Sequence, residues 1–176
     1  MPEPESINEI KLCRATVSDA TCLAEMSAAT FSETFGHLYP PEDLQAYLAN
    51  ACSVTRCRAK LDQTHTAVWF AELDSQPIGF VVAAPCKLPA PNLEANAGEV
   101  QQLYVYARYH NRRIGTRLLD TALVWLTAEA YAPLYVGVWS ENDGARRLYG
   151  RYGFTKVGEY DFPVGNTIDR EWILKR

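Results

Sequence analysis

The stretch that decides the reading of this chain is YVYARYHNRRIGTRLLDTAL, Tyr104 to Leu123. It opens as a β-rich run, and then Ile114, Leu118, Ala122 and, just beyond it, Trp125 recur at helical spacing. A strand therefore passes into a helix through one short turn. Arg108, Arg112, Arg113 and Arg117 crowd that turn, with His110 among them. Free backbone N–H groups and the helix dipole point at such a turn, which makes it a ready phosphate site, and arginines add charge-assisted hydrogen bonds. The same arginines can equally be a solvated face.

The rest of the chain limits what the turn can serve. With 176 residues, 48% of them hydrophobic, the chain can bury one good core and is short for two, so a single domain over 1–176 is expected. The formal net charge is −4, so the wide basic field that holds a nucleic acid is missing and one arginine cluster is too little for that role. The amino end has no apolar core of signal-peptide length, and no later run has the roughly 20 apolar residues of a membrane span. A cytoplasmic protein without a membrane or nucleic-acid partner is expected. Cys13, Cys22, Cys52, Cys57 and Cys86 lack CxxC spacing, and His37, His65 and His110 make no HxxxH pattern. No disulfide framework and no metal are expected, and His37, His65 and the cysteines read as structural.

Outward from the turn, the elements alternate. IKLCRAT reads as a strand, and Ser18-Asp19 can cap a helix through ATCLAEMSAATFSETF. PPEDLQAYLANAC, with prolines and then acids in its first turn, reads as a second helix. HTAVWFAELDSQPIGFVVAAPC is a hairpin around Asp74-Ser75-Gln76-Pro77, and KLPAPNLEANAG is a loop. GEVQQLYVY and LYVGVW read as strands on either side of the central helix. ENDGARRLYGRYG places Ala145, Leu148, Tyr149 and Tyr152 on one helical stripe, with Gly153 as its αL cap. FTKVGEYDFPVG and TIDREWILKR close the chain as two strands. The fold class is mixed α/β, a central mixed sheet flanked by helices.

Two segments carry a family resemblance. VQQLYVYARYHNRRIGTRLLDTAL, followed by LYVGVWSENDGARRLYGRYGFTKVGEYDF, resembles the two signature segments of the GCN5-related N-acetyltransferases (GNAT). In the second, Asn142, Ala145, Tyr149, Gly153 and Phe154 all fall in register with the family's N-x-x-A-x-x-x-Y-x-x-x-G-F. In the first, His110-Asn111-Arg112-Arg113-Ile114-Gly115 stands at the family's pyrophosphate turn. His110 replaces Gln or Arg there, and Arg113 replaces the first Gly, which lets backbone approach a phosphate closely. The element order over nearly the whole chain is also the family's. FSETFGHLYPPEDLQAYL and VGNTIDREWILKR are, more weakly, similar to PaiA-type polyamine acetyltransferases.

The resemblance implies a GNAT-like acyl-CoA N-acyltransferase fold with acetyl-CoA as cosubstrate and a primary amine of a small molecule, a polyamine among the choices, as acceptor. Transfer from a thioester to an amine needs a deprotonated amine, a polarised carbonyl and a proton for the leaving thiolate. Glu99 opens the strand where several relatives carry the carboxylate that draws the amine proton. Strict alternation puts Glu99, Gln101, Leu103 and Val105 on one face, toward the cleft; the alternative is a solvated strand-end carboxylate. The implied cofactor contacts are Leu103 and Val105 through their backbone, the turn His110, Asn111, Arg112, Arg113, Ile114, Gly115 and Thr116, and Asn142, which is also a natural helix N-cap. Tyr149 is either the acid for the thiolate or simple core, with Leu148 and Tyr152 facing inward. Two function classes stand: an N-acetyltransferase for a small amine, or for a protein N-terminus or lysine, and a non-catalytic CoA-binding or interaction module of the same fold. Dimers are common in the resembling family, so a homodimer is a compatible state.

Overall fold

β4 (Gly98–Val105) runs through a single 3-10 turn (Ala107–Tyr109) and an exposed loop into α4 (Ile114–Ala128), the strand-turn-helix unit read from the sequence. The structure, a computed structural model, describes residues 10–176. A seven-stranded mixed sheet surrounds this unit in the order β1-β2-β3-β4-β5-β7-β6. β1 (Lys11–Arg14), β2 (Ala67–Leu73), β3 (Gln76–Pro85) and β4 are antiparallel neighbours. β5 (Leu134–Trp139) lies parallel to β4, and the hairpin of β6 (Thr155–Val164) and β7 (Thr167–Lys175) completes the sheet.

AVWFA on β2 and FVVAA on β3 are continuous apolar runs because the sheet is covered on both faces. Trp69, Ala71, Val81 and Ala83 pack with α4, whereas Val68, Phe70, Phe80 and Val82 pack with α1 (Ala20–Phe35) and with Cys57 of α3 (Val54–Leu61). α5 (Asp143–Arg151) shares the α4 side through Tyr149, and Tyr152 donates to Asp120 Oδ1 of α4 at 2.6 Å. α2 (Pro41–Ala51) packs against α1 and the β6–β7 hairpin in an aromatic cluster that includes Phe31, Tyr39, Tyr47 and Phe162. Its Asp43 clamps the hairpin tip, accepting from Asn166 N at 2.9 Å and Thr167 Oγ1 at 2.7 Å.

Local details depart from the sequence reading. Asp74 and Ser75 alone form the β2–β3 turn, both with positive φ (50° and 64°), while Gln76 and Pro77 belong to β3. Positive φ at both central residues matches the right-handed twist of the flanking strands. Asp19 does not cap α1 forward; its carboxylate reaches back to Thr16 N at 2.7 Å and holds a 3-10 turn that leads into the helix. α3 is an additional helix, capped by Ser53, whose Oγ accepts from Arg56 N at 3.3 Å. Gly153 terminates α5 with φ +83°, as its place in the sequence suggests.

Candidate active site

The parallel pairing of β4 with β5 lasts for two residue pairs, Gly98 with Leu134 and Glu99 with Tyr135. Beyond them the strands splay, and a cleft of about 580 Å³ occupies the wedge, walled by Glu99–Tyr104, Val136–Trp139 and the Asn142, Ala145 and Tyr149 side of α5. β4 is bonded to β3 throughout, so its free edge faces the cleft. Tyr106 donates to Ile78 O toward β3, and alternation from there turns the peptide groups of Leu103 and Val105 toward the open side. One of those groups is already engaged, because the Val105 carbonyl accepts from His110 Nε2 at 2.8 Å.

A β-bulge corrects the strand-face expectation. The register to β3 shifts between Val82–Gln102 and Ala83–Val100, which leaves Gln101 as the extra residue. One inserted residue reverses which side chains face which side. Val100, Leu103 and Val105 therefore pack toward α4, and Glu99 does not share their face. It looks instead toward Lys87 and Lys60, and Lys60 Nζ donates to Gln102 Oε1 at 2.5 Å.

Glu99 is 6% exposed, and its Oε2 accepts from Lys87 N at 2.9 Å. Burial pushes its carboxyl above the ordinary carboxylate range, against the Lys87 N–H, Cys86 and the charges of Lys87 and Lys60. It is thus not the solvated strand-end carboxylate of the alternative reading. Tyr149 is also 6% exposed and is both core and cleft wall: its ring meets Phe154 edge-on at 5.9 Å, and its hydroxyl makes no hydrogen bond among the described residues. Burial raises its phenol pKa, so the hydroxyl is protonated at neutral pH. Leu148 and Tyr152 pack partly buried beside it, and Tyr149 is the most buried member of the stripe. Asn142 is the N-cap of α5, its Oδ1 accepting from Ala145 N at 3.1 Å, which leaves the amide NH2 beside the cleft.

The turn from His110 to Thr116 lies outside the cleft lining. Arg113 holds φ 60° immediately before α4, and Asn111 holds φ 63°. Arg113 thus occupies the left-handed conformation that a glycine takes without steric cost. The N–H of Arg117 bonds to Arg113 O at 3.1 Å, so the amides of Ile114, Gly115 and Thr116 open the helix without an earlier carbonyl to bind. Nothing lies within 4 Å of where a Gly115 Cβ would sit. Of the arginines, Arg117 is tied to Ile10 O at 2.9 Å, Arg112 lies over the Tyr109 ring, and Arg108 over both Tyr106 and Tyr109.

This arrangement, a splayed parallel strand pair bordered by a helix start, agrees with a family model: residues 23–154 match the acetyltransferase (GNAT) family. The chain belongs to that family. Among curated relatives it is similar to an uncharacterized N-acetyltransferase of Lactobacillus delbrueckii subsp. lactis from the pepI 3′ region, 22% identical over 95% of this chain and 96% of that one. Among solved structures it is similar to the PaiA N-acetyltransferase of Thermoplasma acidophilum in complex with coenzyme A, with TM-score 0.75, 19% identity, and 95% and 98% of the two chains covered. A GCN5-related N-acetyltransferase of Rhodopseudomonas palustris matches with TM-score 0.75 and 18% identity, over 99% of each chain. The GNAT fold and the acetyltransferase class expected from the sequence therefore hold for this chain.

Sequence reasoning missed the far wall of the cleft, formed by Tyr39, Tyr47, Tyr160, Phe162, Asp169 and Glu171, and it missed Lys60. One signal was available. In TIDREWILK, strand alternation places Asp169 and Glu171 on the same face as Ile173, which is 0% exposed, so two acids share a face with core.

Proposed function

We propose that this chain transfers acetyl from acetyl-CoA to a primary amine of a small molecule, a polyamine being one acceptor of suitable charge. Glu99 and Tyr149 carry the proton transfers. When bound, acetyl-CoA supplies a thioester whose carbonyl carbon is the electrophile. The residues present fit it. The open edge of β4 offers the peptide groups of Leu103 and the Val105 N–H to the amides of a pantetheine arm, and the NH2 of Asn142 offers a further donor. The unpaired amides of Ile114, Gly115 and Thr116, with His110, Asn111, Arg112 and Arg113 around them, suit a diphosphate.

Glu99 accepts the proton that the attacking amine must lose, directly or through water, and its raised carboxyl pKa improves it as a base near neutral pH. Tyr149 gives its phenolic proton to the sulfur as the C–S bond breaks and the C–N bond forms, and solvent restores both groups afterwards. The observation that carries the reading is that two side chains, each 6% exposed, line one cleft beside the unpaired edge of β4. The test is a thiol-release assay with acetyl-CoA across polyamines, amino acids, aminoglycosides and peptide N-termini, run beside calorimetry of acetyl-CoA binding. Turnover of at least one small amine is expected. Tight acetyl-CoA binding without turnover of any acceptor overturns the reading.

A further inference from the structure

β7 presents Asp169 and Glu171 to the cleft, and a tyrosine holds each of them. Tyr160 Oη donates to Glu171 Oε2 at 2.5 Å, and Tyr39 Oη donates to Asp169 Oδ2. The second oxygen of each carboxylate has no hydrogen-bond donor among the described residues, and neither acid forms an ion pair among them. Arg170, between them in sequence, turns away to Glu159 and Asp161. The basic side chains of the cleft, Arg56, Lys60 and Lys87, come from α3 and the segment after β3, and Lys60 is already bonded to Gln102. Burial together with Asp169 and Glu99 raises the Glu171 carboxyl, and the Tyr160 hydrogen bond is what opposes it.

The sheet is shaped to admit this group. A Cβ at Gly137 on β5 would lie 2.7 Å from Tyr160 Oη and 3.3 Å from Glu171 Oε2, so the missing side chain is the seat of the pair. Tyr47 and Phe162 add aromatic faces to the same wall, their rings edge-on at 5.9 Å. Tyr149, 6% exposed, lines the same cleft, and its hydroxyl has no partner among the described residues.

Both acids are half-buried, and a positively charged ligand group that closes over them offsets the cost of withdrawing carboxylates from water. Glu99, Asp169 and Glu171 do not converge as a metal-ligand set. The group that fits is an ammonium or guanidinium on an elongated molecule, with aromatic rings adding cation–π attraction. We propose that Glu171 and Asp169 are specificity-determining residues that hold a second cationic group of the acceptor while its reacting amine lies at Glu99. The assignment rests on the amine-acetylation reading above and adds which amines are preferred.

The test compares turnover of 1,3- to 1,8-diaminoalkanes with monoamines of matched length and with 4-aminobutyrate. In the wild-type protein, kcat/KM for the best diamine should exceed that of its matched monoamine by about tenfold or more, with 4-aminobutyrate poorest. Glu171→Gln, which can still accept the Tyr160 proton, and Asp169→Asn should raise the diamine KM by about tenfold. They should leave monoamine kcat/KM and the acetyl-CoA KM unchanged. Gly137→Ala, which displaces the pair without altering either acid, should give the same loss of preference. Equal or better use of monoamines or of 4-aminobutyrate by the wild-type protein overturns the assignment, as does a diamine preference that survives both acid substitutions. If one variant fails to fold, the other and the wild-type comparison still decide. Absence of turnover with every amine overturns the acetyl-transfer reading itself, a different result from turnover without discrimination.

Discussion

The two ends of β4 are built on opposite terms. At Gly98 and Glu99 the strand is bonded on both sides, and a Cβ at Gly98 would meet Tyr131 Cβ at 2.8 Å and Leu126 Cδ2 at 2.9 Å. At Leu103 to Val105 it is bonded on one side, and the chain runs on into an exposed turn with Arg113 at φ 60°. Desolvation is strong at the first end, so one carboxylate there has its proton affinity moved by burial. At the second end each group is wet and individually weak, and a ligand is held by several amides and charges together. The chemistry should therefore hang on single atoms at the closed end, and binding should be spread over many groups at the open end.

Glu99→Gln tests the closed end and should have the largest effect. Turnover should fall by roughly 10² to 10⁴ with acetyl-CoA affinity unchanged, and the wild-type rate should rise with pH through one ionisation above the ordinary carboxylate range. The sign for stability is the reverse of an ion-paired acid. A folded-state pKa raised by burial means that stability is full below the unfolded carboxylate pKa of about 4.3 and is lost as pH rises through the folded value. Thermal melts from pH 4 to 8 should show a smaller loss in Glu99→Gln than in the wild type, the remainder coming from Glu171, whose carboxyl is also raised by burial. A variant that turns over normally removes Glu99 from the chemistry.

Gly115→Pro tests the open end. Proline is tolerated in the first turn of a helix, so the fold should persist while one phosphate-facing amide is deleted. Acetyl-CoA affinity by calorimetry should fall about tenfold to a hundredfold, the worth of one hydrogen bond to a charged group. Unchanged affinity in the folded variant would place the diphosphate elsewhere.

Tyr149→Phe returns to the cleft with a smaller expected loss. The hydroxyl makes no hydrogen bond among the described residues and the ring contact with Phe154 remains, so the melting temperature should stay the same. A fall in kcat of about tenfold at constant acetyl-CoA KM is expected if the phenol serves the leaving thiolate. Normal turnover would make it packing alone. Smallest is Arg113→Gly, which relieves a left-handed non-glycine residue and should stabilise the fold by about 1 kcal/mol in denaturant titrations. If stability does not change, the strain assigned to this turn is absent.

Much of this was written locally in the chain. Asn142 as the cap of α5, Gly153 as its αL stop and the break from β4 to α4 each depend on residues a few positions apart, so they read from spacing alone. Ser53 was also a local signal for α3, hidden because VTRCRAKL is polar over most of its length and buries Cys57 alone. The face of Glu99 was a different matter. Nothing in GEVQQLYV marks Gln101 as an inserted residue, because the bulge exists only in the register against β3.

The sequence by itself determined the family and the order of elements other than α3, and it offered Glu99 and Tyr149 as candidates for proton transfer, because periodicity, caps and a motif in register are short-range properties of the chain. Tertiary structure decided how those residues meet. Glu99 and Tyr149 lie 50 positions apart, and Asp169 and Glu171 reach the same cleft from the last strand. The raised proton affinities of Glu99, Tyr149 and Glu171 follow from burial, and the cleft these side chains line follows from the splay of β4 and β5, both of which arise only when distant segments pack together.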